Sequence, residues 1–182
     1  MGVQVSPLAP KKLMKSIILI GFMGSGKTET GKKVAQKGNL LFFDSDEIIK
    51  KRFGNITDLF GKKGEKYFRT LEYSVIKEIF DNDKLFVLSV GGGAFCIKKT
   101  SELLLKNGTI FFLDCPFEIC YKRIKQNNDR PLVGNGKDWL RELYKKRVQF
   151  YKNANFRIDA SKSTDVAAKE ILSKFENEAV NI

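Results

Sequence analysis

A chain of 182 residues, 42% of them hydrophobic, is long enough to bury one core and too apolar to be intrinsically disordered. It holds no apolar run near the ~20 residues that a membrane-spanning helix needs. It has no histidine, which removes the commonest general base and metal ligand, and its formal net charge of +12 indicates a preference for anionic partners.

The basic residues are scattered along the chain rather than gathered in one tract. We interpret most of them as solvated helix faces, so charge alone does not choose between nucleotides, carboxylated metabolites and nucleic acid. The first ten residues lack the pattern of a secretory signal, and three cysteines without CxxC spacing predict reduced thiols in a cytoplasmic protein. Residues 1–13 are expected to be a flexible extension or a cloning remnant.

Strand-like and helical patterns alternate through the first half of the chain. Asn55 and Thr57 are candidates to cap a helical turn, and Phe68 begins an apolar stripe at three- and four-residue spacings. The predicted elements are a buried strand over 16–21, a helix over 27–37, a second buried strand over 40–44, a short helix to about 52 and a long helix over 63–80.

The second half continues the alternation without an internal repeat or a linker between domains. Strands are predicted over 85–90, 109–114 and 156–159, and helices over 98–106, 116–125, 138–151 and from residue 163 or 164 onward. The polar segment over 126–138 predicts a mobile surface loop. We therefore predict one domain over 14–182, a three-layer α/β/α sandwich around a mainly parallel sheet.

The segment from Gly21 to Thr28 fits the P-loop pattern GxxxxGK[ST] and has the required context, a strand before it and a helix after it. Glycines let backbone N–H groups close around a phosphate, and the helix N-terminus adds partial positive charge. Lys27 is expected to reach the β- and γ-phosphates, and Thr28 to offer its hydroxyl to Mg²⁺. The pattern predicts binding of a nucleoside triphosphate.

A P-loop enzyme also needs a carboxylate near its metal, usually at the end of a neighbouring strand. Asp44 and Asp114 both end apolar runs, and the pattern does not separate them. Asp46 follows Asp44 by two residues, so one of this pair could serve the metal and the other an acceptor hydroxyl. The alternative is that Asp46 only caps the following helix.

Further candidates are arginines and glycines suited to an anionic acceptor. Arg69 adjoins the apolar stripe, and Glu72 could orient it, although a surface ion pair between the two is the favoured interpretation. Gly91, Gly92 and Gly93 end a predicted strand, which suits close approach to a ligand or a tight turn. Arg130 and Arg147 complete this group: Arg130 lies in the polar loop, where a closing lid could carry it to the phosphates.

Together these features form an ordered series of six motifs. They are the P-loop, Asp44-x-Asp46, Phe68-Arg69-x-x-Glu72, the glycine triplet, Arg130-Pro131-Leu132, and Leu143-Tyr144-x-x-Arg147-x-x-x-Tyr151. In this order the sequence resembles the shikimate kinases, from about Lys15 to the final helix. The resemblance implies a nucleoside-monophosphate-kinase-like fold with a five-stranded parallel sheet, a lid over about 126–138 and a substrate-binding region over about 46–80.

The resemblance also implies transfer of the γ-phosphoryl group of ATP to the 3-hydroxyl of shikimate, with Mg²⁺ held by Thr28 and, through water, by Asp44. Asp46, Lys27 and Arg130 would be the catalytic residues. ATP would be bound by Gly24, Ser25, Gly26, Lys27, Thr28, Glu29, Arg123, Arg130 and, in a variable loop, Lys162. Shikimate would be bound by Asp46, Arg69, Gly91, Gly92, Gly93 and Arg147.

Two alternatives stay open. One is a gluconate or nucleoside-monophosphate kinase of the same fold. The other is a regulatory GTPase or a nucleic-acid-binding NTPase, although the sequence lacks an Asn-Lys-x-Asp guanine motif and a concentrated basic tract. The expected partners are shikimate and ATP, without nucleic acid or membrane, and the chain is expected to be a cytoplasmic monomer.

Overall fold

The computed structural model describes residues 15–125 and 136–180. The predicted N-terminal extension and most of the predicted lid, including Arg130, lie outside the described residues. Five strands form one parallel sheet in the order β2-β3-β1-β4-β5. They are β1 (Ser16–Ile20), β2 (Leu41–Asp44), β3 (Phe86–Ser89), β4 (Gly108–Asp114) and β5 (Phe156–Asp159).

The apolar first strand forms the centre of the sheet because it is buried on both faces. Ile18 of β1 is paired with Leu88 of β3 and with Ile110 of β4, and none of the three is exposed to solvent. Helices cover both faces of the sheet, so the predicted three-layer α/β fold with five parallel strands is confirmed.

Seven helices are described, together with a short 3₁₀ turn over Ala94–Cys96. In the part of the chain that the structure describes, none is both long and apolar enough to cross a bilayer. The helices are α1 (Lys27–Gly38), α2 (Ser45–Phe53), α3 (Ile56–Ile79), α4 (Lys98–Asn107), α5 (Phe117–Lys125), α6 (Lys137–Tyr151) and α7 (Thr164–Val180).

Two predicted elements differ from the structure. The second strand was expected to be buried, but Leu41 is 41% exposed because β2 lies at the edge of the sheet, where only one side is covered by a neighbour. The predicted helical turn near residue 55 and the predicted long helix over 63–80 together form α3, which begins at Ile56 and is divided by a break at Gly64 (φ 79°, ψ 165°) close to the predicted start of the long helix. Asn55 caps its start, since its side-chain oxygen accepts a hydrogen bond from the Thr57 amide at 2.8 Å.

The central strand provides a test of the core. We expect Ile18→Ala to lower the free energy of unfolding by about 2–5 kcal/mol, because it opens a cavity among β3 and β4, and Ile18→Val by only about 0.5–1.5 kcal/mol. Urea unfolding followed by circular dichroism measures both changes. Val166→Ala, at a side chain that is 47% exposed, is the control and should change stability little. Equal losses in all three variants would contradict this account.

Candidate active site

The carboxyl ends of β1, β2 and β3 open into a cavity of about 540 Å³. In an open parallel sheet this edge is where ligands bind, because the loops that leave neighbouring strands diverge there. The cavity is lined by the P-loop, the start of α2, the middle of α3, the glycine triplet and Arg147 of α6. The fold therefore gathers motifs that are far apart in the sequence around a single space.

The P-loop lies at one end of this cavity. Gly24 has a positive φ of 79°, a backbone conformation that favours glycine. A Cβ at this position would lie only 2.6 Å from the carbonyl oxygen of Cys120, so a larger residue would not fit. The ammonium group of Lys27 donates hydrogen bonds to the carbonyl oxygens of Gly21 (2.9 Å) and Phe22 (3.0 Å). The lysine side chain is thus held across the loop, at the N-terminus of α1.

Asp44 connects the P-loop helix to α2. Its Oδ2 accepts a hydrogen bond from the Thr28 hydroxyl at 2.7 Å, and its Oδ1 accepts from the amides of Asp46 (3.0 Å) and Glu47 (3.2 Å). Asp44 is therefore the residue that caps α2, and the alternative in which Asp46 caps that helix is wrong. Asp46 lies within the first turn and lines the cavity.

The geometry also separates the two candidates for the metal carboxylate. Asp114 forms an ion pair with Arg157 and does not line the cavity, whereas Asp44 lines it beside Thr28. A hydroxyl and a carboxylate oxygen are hard donors that suit Mg²⁺, which commonly takes one or two protein ligands and completes its shell with phosphate and water. Among residues 15–125 and 136–180, no group of three or more acidic or thiol side chains forms a metal cluster.

Asp46 and Glu72 meet at the glycine triplet. A Cβ on Gly91 would lie 2.7 Å from Oδ1 of Asp46 and 2.5 Å from Oε1 of Glu72, so both carboxylates approach the same point of the backbone. Glu72 is fully buried, and its Oε2 accepts a hydrogen bond from Arg69 at 2.6 Å. The interpretation of this pair as a surface ion pair is wrong, since the helix turns the two side chains into the cavity wall.

The second oxygen of Glu72, Oε1, has no hydrogen-bond partner among the described residues. Burial raises the pKa of this carboxyl group to about 7, because removal from water disfavours its charged form. Arg69 opposes the shift and the neighbouring Asp46 adds to it. The wall of the cavity therefore contains a group that changes its charge near neutral pH.

Two guanidinium groups stand over the glycine triplet. Arg69 is so close to Gly93 that a Cβ there would overlap its guanidinium group, and Nη1 of Arg147 lies 3.5 Å from the corresponding position on Gly92. Arg147 is only 8% exposed, and its guanidinium group lies 5.9 Å from the centre of the Phe22 ring. Two largely enclosed guanidinium groups that face one backbone turn form a site suited to a carboxylate.

The remaining residues predicted to bind ATP differ in whether they line the cavity. Arg123 lies over the P-loop, where its Nη1 donates to the carbonyl oxygen of Gly24 at 3.1 Å, and it lines the cavity. Glu29 lines the cavity but is exposed and pairs with Lys32, while Ser25 is buried and does not line the cavity. Lys162 does not line the cavity, and its ammonium group pairs with Asp159 at 3.8 Å.

Ile56 and Phe60, for which no site role was predicted, form an apolar wall of the cavity. Their spacing of four residues after the Asn55 cap was the available signal, because it puts both on one face of a helix. Phe60 also packs against Phe68 across the helix break, with ring centres 4.6 Å apart. The site thus pairs a charged floor with an apolar side, as expected for a small ring that carries a carboxylate.

Comparison with known proteins agrees with this architecture. A shikimate kinase from Sulfurihydrogenibium sp. is 40% identical over 165 residues, which cover 90% of this chain and 99% of that protein. The crystal structure of shikimate kinase from Aquifex aeolicus has a TM-score of 0.79 at 36% identity and covers 90% of this chain and 98% of its own. Shikimate kinase from Acinetobacter baumannii, solved in complex with shikimate, has a TM-score of 0.85 at 33% identity and covers 91% and 95%.

The family model for shikimate kinase matches residues 23–176. That range begins within the P-loop and ends in α7, so it includes the last six residues of the P-loop and all the other motifs of the ordered series. The chain belongs to the shikimate kinase family.

Proposed function

We propose that this chain transfers the γ-phosphoryl group of ATP to the 3-hydroxyl of shikimate, giving shikimate 3-phosphate and ADP. The observation that carries the proposal is the convergence of Asp46, Arg69 and Arg147 on the glycine triplet, in the same cavity as the P-loop. A phosphoryl donor and an anionic acceptor can therefore be bound side by side, which is the main requirement of phosphoryl transfer.

The P-loop end of the cavity is assigned to ATP. The backbone amides of residues 24–28 and the ammonium group of Lys27 offset the negative charge of the β- and γ-phosphates, and Arg123 lies beside the loop. Arg130 and Lys162 stay predicted ATP contacts. Thr28 and Asp44 would hold Mg²⁺, which supplies charge neutralisation at the phosphates when bound. The support for this assignment is the pairing of their oxygens at the start of α1.

The opposite end of the cavity is assigned to shikimate. Arg69 and Arg147 would bind the substrate carboxylate together with the backbone of Gly91, Gly92 and Gly93, because planar guanidinium groups match carboxylate oxygens. Asp46 would accept a hydrogen bond from the 3-hydroxyl and take its proton as the oxygen attacks phosphorus. The apolar wall of Ile56 and Phe60 suits the carbon ring.

We propose a monomer as the active unit, since the described residues assigned to the substrate carboxylate and to Mg²⁺ all line one cavity and need no side chain from a second copy. We further propose a cytoplasmic location, because the three cysteines are free thiols. We propose no nucleic acid or membrane partner, because the basic residues are scattered and the cavity has the size of a small-molecule site.

The acceptor is tested by a substrate panel. We expect ATP consumption, followed by coupled ADP release, to depend on added shikimate and to stay near background with gluconate or nucleoside monophosphates, which lack the ring carboxylate that the two arginines fit. Strong turnover of a nucleoside monophosphate without turnover of shikimate would overturn the assignment. Stoichiometric oligonucleotide binding that weakens steeply with salt would instead support the nucleic-acid alternative.

The role of Asp46 is tested by Asp46→Asn. The amide keeps the shape of the side chain but cannot take a proton, so kcat should fall by about 10²–10⁴-fold while the Kd for ATP changes little. Steady-state kinetics and ATP titration separate the two effects. The matched control is Asp58→Asn, at an exposed acid in the first turn of α3. Near wild-type turnover by Asp46→Asn would contradict the assignment.

The buried Glu72 predicts a pH dependence of acceptor binding. Its pKa, raised to about 7, means that Glu72 is mostly neutral below that pH and negatively charged above it. A substrate carboxylate bound nearby should raise this pKa further, so substrate binding takes up protons. The affinity for the substrate should therefore fall as pH rises from about 6 to about 8. The fall is at most about tenfold for each unit by which binding raises the pKa of Glu72.

Calorimetric titration with shikimate at several pH values measures this dependence. Glu72→Gln should flatten it, because the amide does not titrate. Glu65→Gln is the control, since Glu65 contacts the same arginine from an exposed position and should leave the dependence in place. A profile unchanged by Glu72→Gln would assign the effect to another group.

A further inference from the structure

One aromatic side chain outside the cavity holds the glycine triplet from behind. Tyr151 ends α6 and is 1% exposed, and its hydroxyl donates a hydrogen bond to the carbonyl oxygen of Gly92. Its ring packs against Phe112 of β4, with ring centres 5.1 Å apart. We propose that Tyr151 is a positioning residue, which fixes the glycine turn in the orientation that its amides need to face the acceptor; the proposal rests on the function proposed above.

The argument begins with the geometry of the peptide group. In a trans peptide the C=O and N–H bonds lie in one plane and point in opposite directions. A hydrogen bond that holds the carbonyl of Gly92 therefore also fixes the direction of the N–H of Gly93. Gly92 and Gly93 line the cavity, whereas Tyr151 does not. The hydrogen bond to Tyr151 therefore turns the carbonyl of Gly92 away from the cavity, and the N–H of Gly93 is directed toward the cavity.

The neighbouring peptide groups are held by other elements. The carbonyl of Gly91 accepts a hydrogen bond from the Ala94 amide at 3.0 Å, which by the same reasoning fixes the N–H of Gly92. The amide of Gly91 donates to the Ser45 hydroxyl of α2 at 3.2 Å. Three consecutive glycines have the largest conformational freedom of any tripeptide, so each such bond restricts a turn that side chains do not restrict.

The same helix supplies the charge that the turn needs beside it. Arg147 precedes Tyr151 by four residues, so both side chains leave one face of α6. Nη1 of Arg147 lies 3.5 Å from the position of a Cβ on Gly92, and Tyr151 holds the carbonyl of that residue. Helix α6 thus sets the spacing between a guanidinium donor and a backbone donor, and bidentate recognition of a carboxylate depends on that spacing.

The test is Tyr151→Phe, which removes one hydroxyl and keeps the ring. We expect the KM for shikimate to rise by about tenfold, the size of one lost or misaligned hydrogen bond, while the KM for ATP stays within about twofold. Fluorescence of Trp139, the only tryptophan, measures the Kd for shikimate without ATP. The matched control is Tyr144→Phe, on the same helix, whose hydroxyl donates to the carbonyl of Cys115 at 3.1 Å.

The outcomes separate the proposals. If wild-type protein does not phosphorylate shikimate, the proposed function fails whatever Tyr151 does. If it does, selective loss of shikimate affinity in Tyr151→Phe, absent from Tyr144→Phe, supports the positioning role. Unchanged shikimate affinity overturns it, and so do equal changes in both KM values and kcat, which would mark a general structural role.

A second measurement on the unaltered protein covers the case in which Tyr151→Phe does not fold. Shikimate should slow hydrogen exchange of the Gly92 and Gly93 amides, because the turn directs them to the bound carboxylate. Exchange at these amides that is the same with and without saturating shikimate overturns the proposal.

Discussion

A single carboxylate, that of Asp44, holds together the two halves of the site. One of its oxygens is bonded to Thr28 at the start of α1, and the other satisfies two amides at the start of α2. The first contact fixes the P-loop helix against the edge strand β2, and the second fixes the direction in which Asp46 leaves the chain. The nucleotide end and the acceptor end of the cavity are thereby joined through one buried side chain, which is 7% exposed.

The acceptor end is an example of charge compensation inside a protein. Arg69 and Arg147 bring two positive charges, and Asp46 and Glu72 bring two groups that can be negative, around three glycines without side chains. Burial would make either set alone costly, since an isolated charge loses its hydration. Placed together they stabilise each other, although burial still holds the pKa of Glu72 above its ordinary value.

Much of this site could be predicted from the sequence because short motifs supply most of its functional residues. The P-loop, the strand alternation and the order of the motifs all depend on residues close together in the chain. The choice between Asp44 and Asp114 could not be made from pattern, because it depends on which side chain finds another partner: Arg157 takes Asp114, and Thr28 takes Asp44. The burial of Glu72 was likewise hidden, since an Arg–Glu pair three residues apart is the same in sequence whether its helix face meets solvent or a cavity.

Because of the break at Gly64, the apolar wall of the acceptor pocket and its Arg69 lie on two separate helical segments. The break lies between Phe60 of the apolar wall and the segment that carries Arg69, so no continuous helical backbone sets the distance from wall to guanidinium group. That distance is set by the contact of the Phe60 and Phe68 rings instead. Exchanging either aromatic residue should therefore change the contour that a ring substrate meets together with the position of the Arg69 guanidinium group, which lies 5.8 Å from the centre of the Phe60 ring and 5.3 Å from that of Phe68.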